Sequence, residues 1–531
     1  MSQASDALPG PSATTEIFPE PKSFLEKLLD GIEAVGNKVP HPAVIFLLLC
    51  GVVIVLSQIL YLFGVRVSYE AINPQTHQLE QQTVAVNGLL TVEGIRFLLT
   101  SPIRNFLNFN AIGIILVVMV GVGVAEEAGL IAALIRQVVA VAPRWAITYI
   151  LVFVGILSSI ATDAGYIVLI PLGAAAFLSV GRNPLAGLAA AYAGVAATFG
   201  VNILITPLDG VLTELTNDAI HLLNPTLSID LTANLYFSIV STIVFTVIIG
   251  LFTEKFVEPS LGPYHSDQPL EQGQVVSGEE SKGLRAALFA TLGVALLIAL
   301  LTLPPGAPLR NAETGAIVGN SPFMDSLIIL IMLLFLAAGA AYGRAAGTIT
   351  SLGAAIKAIE KTIAGLGPLV FLFLIIAQFI AYFNYTNMAT LAAVSLADAL
   401  EHANIGAIPL LVGFVLVTVV IDLIMTGAIP KWAIFAPIFV PLFMRLGIGP
   451  EAVLAAYRVG DSPINPITPL MAYFGMIVVF AQKYKPDAGV GTIVAMMVPY
   501  TVVILVVWTV LLAVWVGLGI PLGPGVPALA R

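Results

Sequence analysis

Long apolar segments separated by short polar ones make up most of this 531-residue chain. From residue 43 onward, stretches of about 20 apolar residues recur, which is the length that an α-helix needs to cross a bilayer. The pattern predicts an all-α polytopic membrane protein with about nine transmembrane helices. The predicted spans are 43–64, 108–128, 185–222, 233–254, 286–303, 322–343, 366–385, 449–482 and 493–518.

Two further apolar regions, 146–181 and 406–447, are interrupted near the middle by polar residues. The interruptions are residues 162–165 and 426–431, and each apolar half is short for a transmembrane helix. We therefore predict two re-entrant hairpins, each of which enters the membrane and returns to the same side.

Each hairpin leads into a segment that resembles its counterpart in the other half of the chain. The stretches 163–208 and 429–469 share prolines at equal spacing, followed by the same polar residues in the same order. The matched pairs are Pro171 with Pro437, Pro184 with Pro450, Tyr192 with Tyr457, Asn202 with Asn465, and Thr206 with Thr468. Interrupted apolar segments at corresponding places of two repeats indicate a transporter's binding site. The alternative is chance similarity between two segments rich in Ala, Gly and Pro.

The composition and the placement of basic residues support a membrane topology. Charged residues are 10% of the chain, against about 25% in a soluble domain, which excludes a large soluble enzyme. With a cytoplasmic N-terminus and a periplasmic C-terminus, the inner side carries more than twice as many Lys and Arg residues as the outer side. This distribution satisfies the positive-inside rule. The hairpins then open to opposite sides, so the repeat is inverted.

This topology divides the chain into four parts. Residues 1–42 form a cytoplasmic tail with an interfacial helix, and residues 43–255 form the first repeat half. Residues 256–285 form a cytoplasmic linker, and residues 286–531 form the second repeat half. The segment 344–365 has the pattern of an amphipathic helix lying on the cytoplasmic surface.

Few residues support metal or nucleotide chemistry. The single cysteine is Cys50, and the five histidines form no pair at i, i+4, so a zinc or iron site has no support. The P-loop motif Gly-x4-Gly-Lys-Ser/Thr is missing from the sequence, which argues against direct coupling to ATP. We expect no cofactor other than a coupling ion, Na+ or H+, and no nucleic-acid partner.

Charged residues nevertheless occur at membrane depth in the second matched segment. Lys431, Arg458 and Asp461 each cost about 2.5–3.5 kcal/mol at the centre of a spanning helix, so they persist where they face a cavity or a partner. Arg458 and Asp461 share a helix face. One interpretation is a buried structural ion pair. The other assigns a substrate carboxylate to Arg458, whose guanidinium binds both oxygens, and a coupling cation or proton to Asp461.

Two residues at the tip of the second hairpin also have alternative roles. Trp432 either stacks on an aromatic substrate or anchors the hairpin at the membrane interface. Lys431 either attracts an anionic substrate or extends toward the interface.

Two of the predicted spans are broken, 185–222 near Asn202 and 449–482 near Asp461. Polar residues around these two breaks are suited to a coupling ion, because unwound backbone offers free carbonyl groups beside them. The first set is Asp461, Ser462 and Asn465, and the mirror-related set is Asn202, Thr206 and Asp209. A Na+ ion would be bound by Asp461, Asn465 and Asn202. Asp163, at the first hairpin tip, either joins the coupling site or caps the following helix.

Five stretches resemble the aminobenzoyl-glutamate transporter (AbgT) family of the ion-transporter superfamily. They are GNKVPHP at 36–42, GVGVAEEAGLI at 121–131, SSIATDAGY at 158–166, PKWAIFAPIFVPL at 430–442 and YRVGDSPINPITPLM at 457–471. The resemblance covers about residues 25–520. It implies nine spans, two hairpins and a bowl-shaped homodimer in the bacterial inner membrane.

The resemblance also implies a function. It predicts an ion-coupled secondary transporter of p-aminobenzoyl-glutamate or related anionic folate catabolites, and not an enzyme. Export of sulfonamide antimetabolites, known for some members, is the alternative. A remote alternative is an intramembrane aspartyl protease using Asp163 and Asp461. The stretch 458–461 lacks the first glycine of the Gly-x-Gly-Asp motif that such enzymes typically need.

Functional positions of the family map onto residues of this chain. They are Asp209, Asp422, Trp432, Pro450, Arg458, Asp461 and Pro469. Members carry Asp or Asn at the position of Asp422. A small hydroxyl residue is common at the second hairpin tip, where this chain has Ile429, and nearby Thr426 would substitute for it as a substrate contact. We expect the dimer to form through spans outside the hairpin core, namely 43–64, 233–254, 286–303 and 322–343.

Overall fold

The computed structural model describes residues 42–72, 79–160, 165–264, 277–317, 321–392, 394–395, 406–423, 425, 427–469, 471 and 473–524. The predicted N-terminal interfacial helix and the hairpin-tip residues Asp163 and Thr426 lie outside the described residues.

Helices dominate because a segment in the bilayer has no water to satisfy its backbone hydrogen bonds. The helices are α1 (Pro42–Leu62), α2 (Val92–Thr100), α3 (Pro102–Leu107), α4 (Asn110–Glu127), α5 (Leu130–Ala140), α6 (Ile147–Leu157), α7 (Ile170–Ser179), α8 (Pro184–Tyr192), α9 (Pro207–Ile220), α10 (Leu235–Phe252), α11 (Glu258–Leu261), α12 (Gly278–Thr302), α13 (Pro322–Ala346), α14 (Leu352–Gly365), α15 (Gly367–Tyr385), α16 (Ala407–Asp422), α17 (Ala428–Arg445), α18 (Pro450–Asp461), α19 (Phe474–Gln482) and α20 (Val490–Gly517). Shorter 3-10 and π-helical turns lie at Ser158–Ile160, Gly165–Leu169, Ala193–Ala197, Thr253–Val257 and Ser462–Ile467.

The all-helical membrane fold is confirmed. Within the described ranges, eight helices are long and apolar enough to cross a membrane. Seven of them match continuous predicted spans, and the eighth is α17. The other two predicted spans, 185–222 and 449–482, are broken helices made of α8 with α9 and α18 with α19.

A short β-hairpin is an addition that the sequence analysis did not predict. Strand β1 (Arg66–Ile72) pairs antiparallel with β2 (Leu79–Ala85), with Arg66 opposite Ala85. The strand Arg66–Ile72 alternates polar and apolar residues at its start, a period of two. A search for long apolar runs does not detect that period.

Both predicted hairpin regions contain two helical arms. Hairpin 1 consists of α6 and α7, and hairpin 2 consists of α16 and α17. The arms of hairpin 2 pack through aromatic rings: Phe414 of α16 lies 4.5 Å from Phe439 and 5.9 Å from Phe435, centroid to centroid. Gly427 at the tip has a φ of 94°, a conformation that a residue with a Cβ rarely adopts.

The segments after the two hairpins fold alike, as the sequence repeat predicts. Gly181 and Gly447 have φ values of 77° and 75° and end the second arm of each hairpin. Pro184 and Pro450 then occupy the first turn of α8 and α18, where the missing N–H breaks no helical hydrogen bond. The same glycine conformation and the same proline position occur at corresponding places of the two segments. Chance similarity does not readily explain this agreement.

The two breaks contact each other. Ser462, in the 3-10 turn after α18, accepts a hydrogen bond from the backbone N–H of Gly200 at 2.9 Å. Asn465 donates its side-chain amide to the carbonyl of Ala196 at 3.3 Å. Non-helical backbone at membrane depth is tolerated here because protein surrounds it.

The helices away from the breaks pack through small residues, as is common between membrane helices. A Cβ at Gly121 of α4 would collide with the backbone of Met332 in α13, and one at Gly339 of α13 would collide with Ala125. Helix α12 packs beside α13 but leaves most of its apolar side chains exposed, including Leu292 and Leu296.

One span expected outside the hairpin core, α10, contacts hairpin 1. A Cβ at Gly250 of α10 would collide with the ring of Tyr149 in hairpin 1. Ser241 of α10 accepts a hydrogen bond from Trp508 of α20 at 3.0 Å. Helix α10 therefore lies beside hairpin 1.

Candidate functional site

Arg458 and Asp209 join the two repeats by a buried ion pair. Nη1 of Arg458, in α18, lies 2.5 Å from Oδ1 of Asp209, near the start of α9. The same nitrogen also donates to the carbonyl of Gly200 at 3.1 Å. Arg458 therefore pairs with an acid of the other repeat and not with its helix neighbour Asp461, the partner that the sequence analysis considered.

The local sequence fixes the position of Asp209. Thr206 is the N-cap of α9, and its hydroxyl accepts a hydrogen bond from the Asp209 backbone N–H at 3.3 Å. In return, Oδ2 of Asp209 accepts from the Thr206 N–H at 2.7 Å and from its hydroxyl at 2.8 Å. This capping box satisfies N–H groups that the first turn of a helix leaves free. One oxygen of Asp209 is thus bound locally, and the other faces Arg458.

A second buried cluster connects hairpin 2 to α18. The ammonium of Lys431, in the first turn of α17, contacts Asp422 at the end of α16 and lies 2.7 Å from Oδ1 of Asp461. The Lys431 and Asp422 side chains have no exposed surface, and that of Asp461 is 4% exposed. The hydroxyl of Tyr457 lies 3.0 Å from Oδ1 of Asp461 and also contacts the Ala428 carbonyl. Lysine 431 is therefore an interior ion-pair partner and does not extend to the interface.

Trp432 is buried against both repeats. Its indole N–H lies 3.2 Å from the carbonyl of Leu212 and 3.0 Å from the hydroxyl of Thr216, both in α9. Its ring lies 4.6 Å from the ring of Tyr457. A fully buried side chain is not an anchor at the membrane surface. In this conformation Tyr457 covers the ring, so stacking on a substrate requires hairpin 2 to move.

The remaining predicted residues are distributed around the two breaks. Asn202 donates its amide to the carbonyls of Ile156 and Leu157, each at 3.2 Å, at the end of α6. It thereby holds the first arm of hairpin 1 against the break. Pro450 begins α18, and Pro469 follows the 3-10 turn. Asp163 and Thr426 lie outside the residues that the structure describes.

Asn202, Asn465 and Asp461, the predicted Na+ ligands, each bond to protein groups in this structure. The amide groups of Asn202 and Asn465 donate N–H groups to backbone carbonyls. The oxygen of Asp461 already faces the ammonium of Lys431. Within the described part of the chain, no group of three or more His, Cys, Asp or Glu side chains is placed to hold a metal ion.

Arg458 also lines a narrow cavity between the repeats. Other polar residues of its wall are Asn202, Asp209, Thr213, Asp230 and Asn234. Arg458 is 6% exposed, and no acceptor among the described residues bonds to its Nε. A buried guanidinium N–H without an acceptor is costly. A ligand carboxylate that reached this N–H would satisfy it.

Comparison with known proteins decides the family. The model of the AbgT putative transporter family matches residues 27–529. This chain belongs to the AbgT family. It is 37% identical over 504 residues to the p-aminobenzoyl-glutamate transport protein of Escherichia coli (strain K12), covering 94% of this chain and 96% of that protein.

Two solved AbgT-family structures share the fold. The YdaH transporter of Alcanivorax borkumensis, described as having an unusual topology, superposes with a TM-score of 0.85 at 38% identity, covering 91% of this chain and 100% of that one. MtrF of Neisseria gonorrhoeae, described as illuminating a class of antimetabolite efflux pumps, gives a TM-score of 0.87 at 38% identity, covering 94% and 100%. The resemblance is confirmed, and the chain is a membrane transporter.

The sequence analysis missed the pairing of Lys431 with the two acids. It named all three residues but assigned Lys431 to the substrate or the interface. A signal was present, because Asp422 and Lys431 flank the tip of one hairpin at nearly equal distances from it. Adjacent arms of a hairpin bring such positions together, so an ion pair across the tip was predictable.

Proposed function

We propose that this AbgT-family chain is an ion-coupled secondary transporter of p-aminobenzoyl-glutamate or related anionic folate catabolites. The observation that carries the proposal is Arg458, which lies buried between the repeats, lines a polar cavity and has an Nε with no hydrogen-bond acceptor among the described residues. The Escherichia coli relative is named for transport of the same compound. The coupling ion in this proposal is H+ or Na+.

Arg458 provides the charge that an anionic substrate needs. Guanidinium groups bind carboxylates through two parallel N–H donors, and Nη1 already bonds to Asp209. The Nε edge of the guanidinium would donate hydrogen bonds to a carboxylate of the glutamate moiety. Asp209 then keeps the guanidinium oriented from the other side.

Trp432 and Tyr457 would provide the aromatic part of the substrate site. Their rings contact each other at the junction of hairpin 2 and α18. Separation of hairpin 2 from α18 would uncover a face of each ring, and an aminobenzoyl ring would stack there. Substrate binding at these rings would then require hairpin 2 to move.

The two repeats and the two ion-pair clusters are consistent with alternating access. The ion pair between Asp209 and Arg458 connects α9 to α18, and the ion pair between Lys431 and Asp461 connects hairpin 2 to α18. Movement of hairpin 2 relative to α18 changes the second connection while the first can stay intact. Repeats of this kind alternate by movement of one unit around a fixed central site.

Our proposal places the protein in the bacterial inner membrane as a homodimer, with its N-terminus cytoplasmic and its C-terminus periplasmic. The distribution of Lys and Arg residues supports the orientation. Large apolar side chains remain exposed on α12, and lipid or a second subunit would cover them.

Counterflow in proteoliposomes tests the transport activity. Vesicles containing the purified protein and unlabelled p-aminobenzoyl-glutamate should take up external labelled compound transiently. Na+ and pH are then varied independently to identify the coupling ion. Absence of counterflow, with correctly inserted protein shown by protease protection, would reject this substrate.

Export of sulfonamide antimetabolites is the second candidate, favoured by the similarity to MtrF. Sulfonamides share an aminobenzene ring with the first substrate but lack the glutamate carboxylates. Export would therefore depend on Trp432 more than on Arg458. Sulfonamide accumulation in inverted vesicles measures it, and inhibition of counterflow by the drug tests whether both compounds use one site.

A further inference from the structure

The Asp422, Lys431 and Asp461 side chains form a cluster with a defined charge balance. Two carboxylates and one ammonium meet with almost no exposure to solvent. Buried charges are tolerated only when paired. Here one ammonium lies against both acids. The positive charge that compensates them therefore comes from a residue of the chain itself.

The ammonium lies against Asp461, the acid that the sequence analysis assigned to a coupling ion. Asp461 ends α18 directly before the unwound turn, and an acid at such a break is suited to a monovalent cation from solution. The Oδ1 atom of Asp461 instead has Nζ of Lys431 at 2.7 Å. An ammonium and a hydrated or bound Na+ compete for the same carboxylate oxygens, because both carry one positive charge.

We propose that Lys431 is a tethered cation that occupies the Na+ position of the Asp422–Asp461 site and excludes Na+ from it. The benefit of excluding Na+ rests on the proposed transport function. The exclusion itself does not, because cation binding is measured without substrate. Lys431 is attached to hairpin 2, and Asp461 is attached to α18. The electrostatic attachment of hairpin 2 to α18 therefore does not require Na+ from solution.

The test replaces the tethered charge while keeping the net charge of the cluster. The double variant D422N/K431Q removes one negative and one positive charge, leaving Asp461 as a single carboxylate with no internal cation. The melting temperature of the purified protein is measured as Na+ replaces choline at constant ionic strength. Binding of Na+ to the folded state alone raises that temperature.

We expect the double variant to be stabilised by Na+ in a saturable manner, beyond any effect of Na+ on the wild-type protein. Adding Asp461→Asn to the double variant should abolish this gain. Lys361→Gln is the matched control, because Lys361 is an exposed surface lysine paired with Glu127, and it should behave as the wild type.

Equal Na+ responses of the double variant and the wild-type protein would overturn the proposal. If the double variant does not fold, Lys431→Arg is measured by calorimetric Na+ titration. It keeps the positive charge and should bind no more Na+ than the wild type, and extra Na+ binding would contradict the proposal. Failure of p-aminobenzoyl-glutamate counterflow would reject the proposed substrate but leaves these cation measurements interpretable.

Discussion

At the residue scale, the site consists of charged and aromatic side chains that each have a partner in another element. Arg458 pairs with Asp209, and Lys431 pairs with Asp422 and Asp461. Removing one partner of a buried ion pair leaves the other uncompensated, at a cost of about 3–5 kcal/mol. Single substitutions therefore affect stability and transport together, and each test needs a readout for both.

Asp461→Asn separates these effects, because the change keeps the side-chain volume and leaves Lys431 paired with Asp422. We expect the variant to fold and to exchange substrate in counterflow, yet to fail to accumulate it against a gradient. The measurement compares counterflow with ion-driven uptake in the same vesicles. Full uphill transport, with the ion gradient verified, would show that Asp461 does not carry the coupling charge.

Arg458→Lys should weaken substrate affinity while leaving coupling intact. Lysine preserves the charge beside Asp209 but lacks the second donor edge for a carboxylate. We expect a KM for p-aminobenzoyl-glutamate raised about tenfold, equivalent to about 1.4 kcal/mol. An unchanged KM at normal expression would argue against a bidentate substrate contact.

Trp432→Phe should retain more transport than Trp432→Ala. Phenylalanine keeps an aromatic face and loses the indole N–H bonds to α9, whereas alanine also leaves a cavity, at a cost of about 3–5 kcal/mol. Counterflow rates and melting temperatures of both variants test this order. Normal transport by the alanine variant in a purified system would contradict a stacking role.

At the element scale, hairpin 1 depends on close contact between glycines. Gly173 of α7 and Gly187 of α8 face each other so closely that a Cβ on either would collide with the backbone of the other. These small residues let α7 lie directly on α8, which carries the chain into the first break. The position of the break is thus determined by packing as well as by its sequence.

Gly187→Ala should destabilise the protein because the added methyl group meets the Gly173 carbonyl and the Phe177 ring. Overpacking of this kind typically costs about 1–3 kcal/mol. Gly293→Ala is the control, since nothing lies within 4 Å of a Cβ at that position of α12. Comparable melting temperatures for the two variants would show that α7 can move away from α8 at no cost.

At the scale of the whole molecule, hairpin 2 must move relative to a stationary part if transport is by alternating access. Helices α12 and α13 pack on each other, and α13 also packs on α4 through Gly121 and Gly339. They are candidates for the stationary part and for the subunit interface. The ion pairs of hairpin 2 are the contacts that would change during transport.

Cysteine cross-linking tests this arrangement in a background without native cysteine, obtained by Cys50→Ser because Cys50 is the single cysteine. Leu296 on α12 is 62% exposed and Val420 on hairpin 2 is 58% exposed. We expect Leu296→Cys to form the disulfide-linked dimer far more readily than Val420→Cys. The opposite result would place hairpin 2 at the interface.

The sequence by itself determined the parts of the structure that depend on local chain properties. The length of the apolar segments predicted the continuous spans, because a helix needs about 20 residues to cross a bilayer. Prolines predicted the two breaks, because proline restricts the backbone wherever it occurs. Polar interruptions in apolar regions whose halves are short for a span predicted both hairpins. The family followed from long motifs such as the stretch 457–471.

Only the tertiary structure decided which residues are partners. Arg458 and Asp461 share a helix face, yet they pair with Asp209 and Lys431, because the first repeat and hairpin 2 each bring a charged residue to α18. The burial of Trp432 and the position of α10 beside hairpin 1 also depend on contacts between distant segments. Periodicity and local propensity contain no information about such contacts, because a buried charge selects its partner by proximity in the folded molecule.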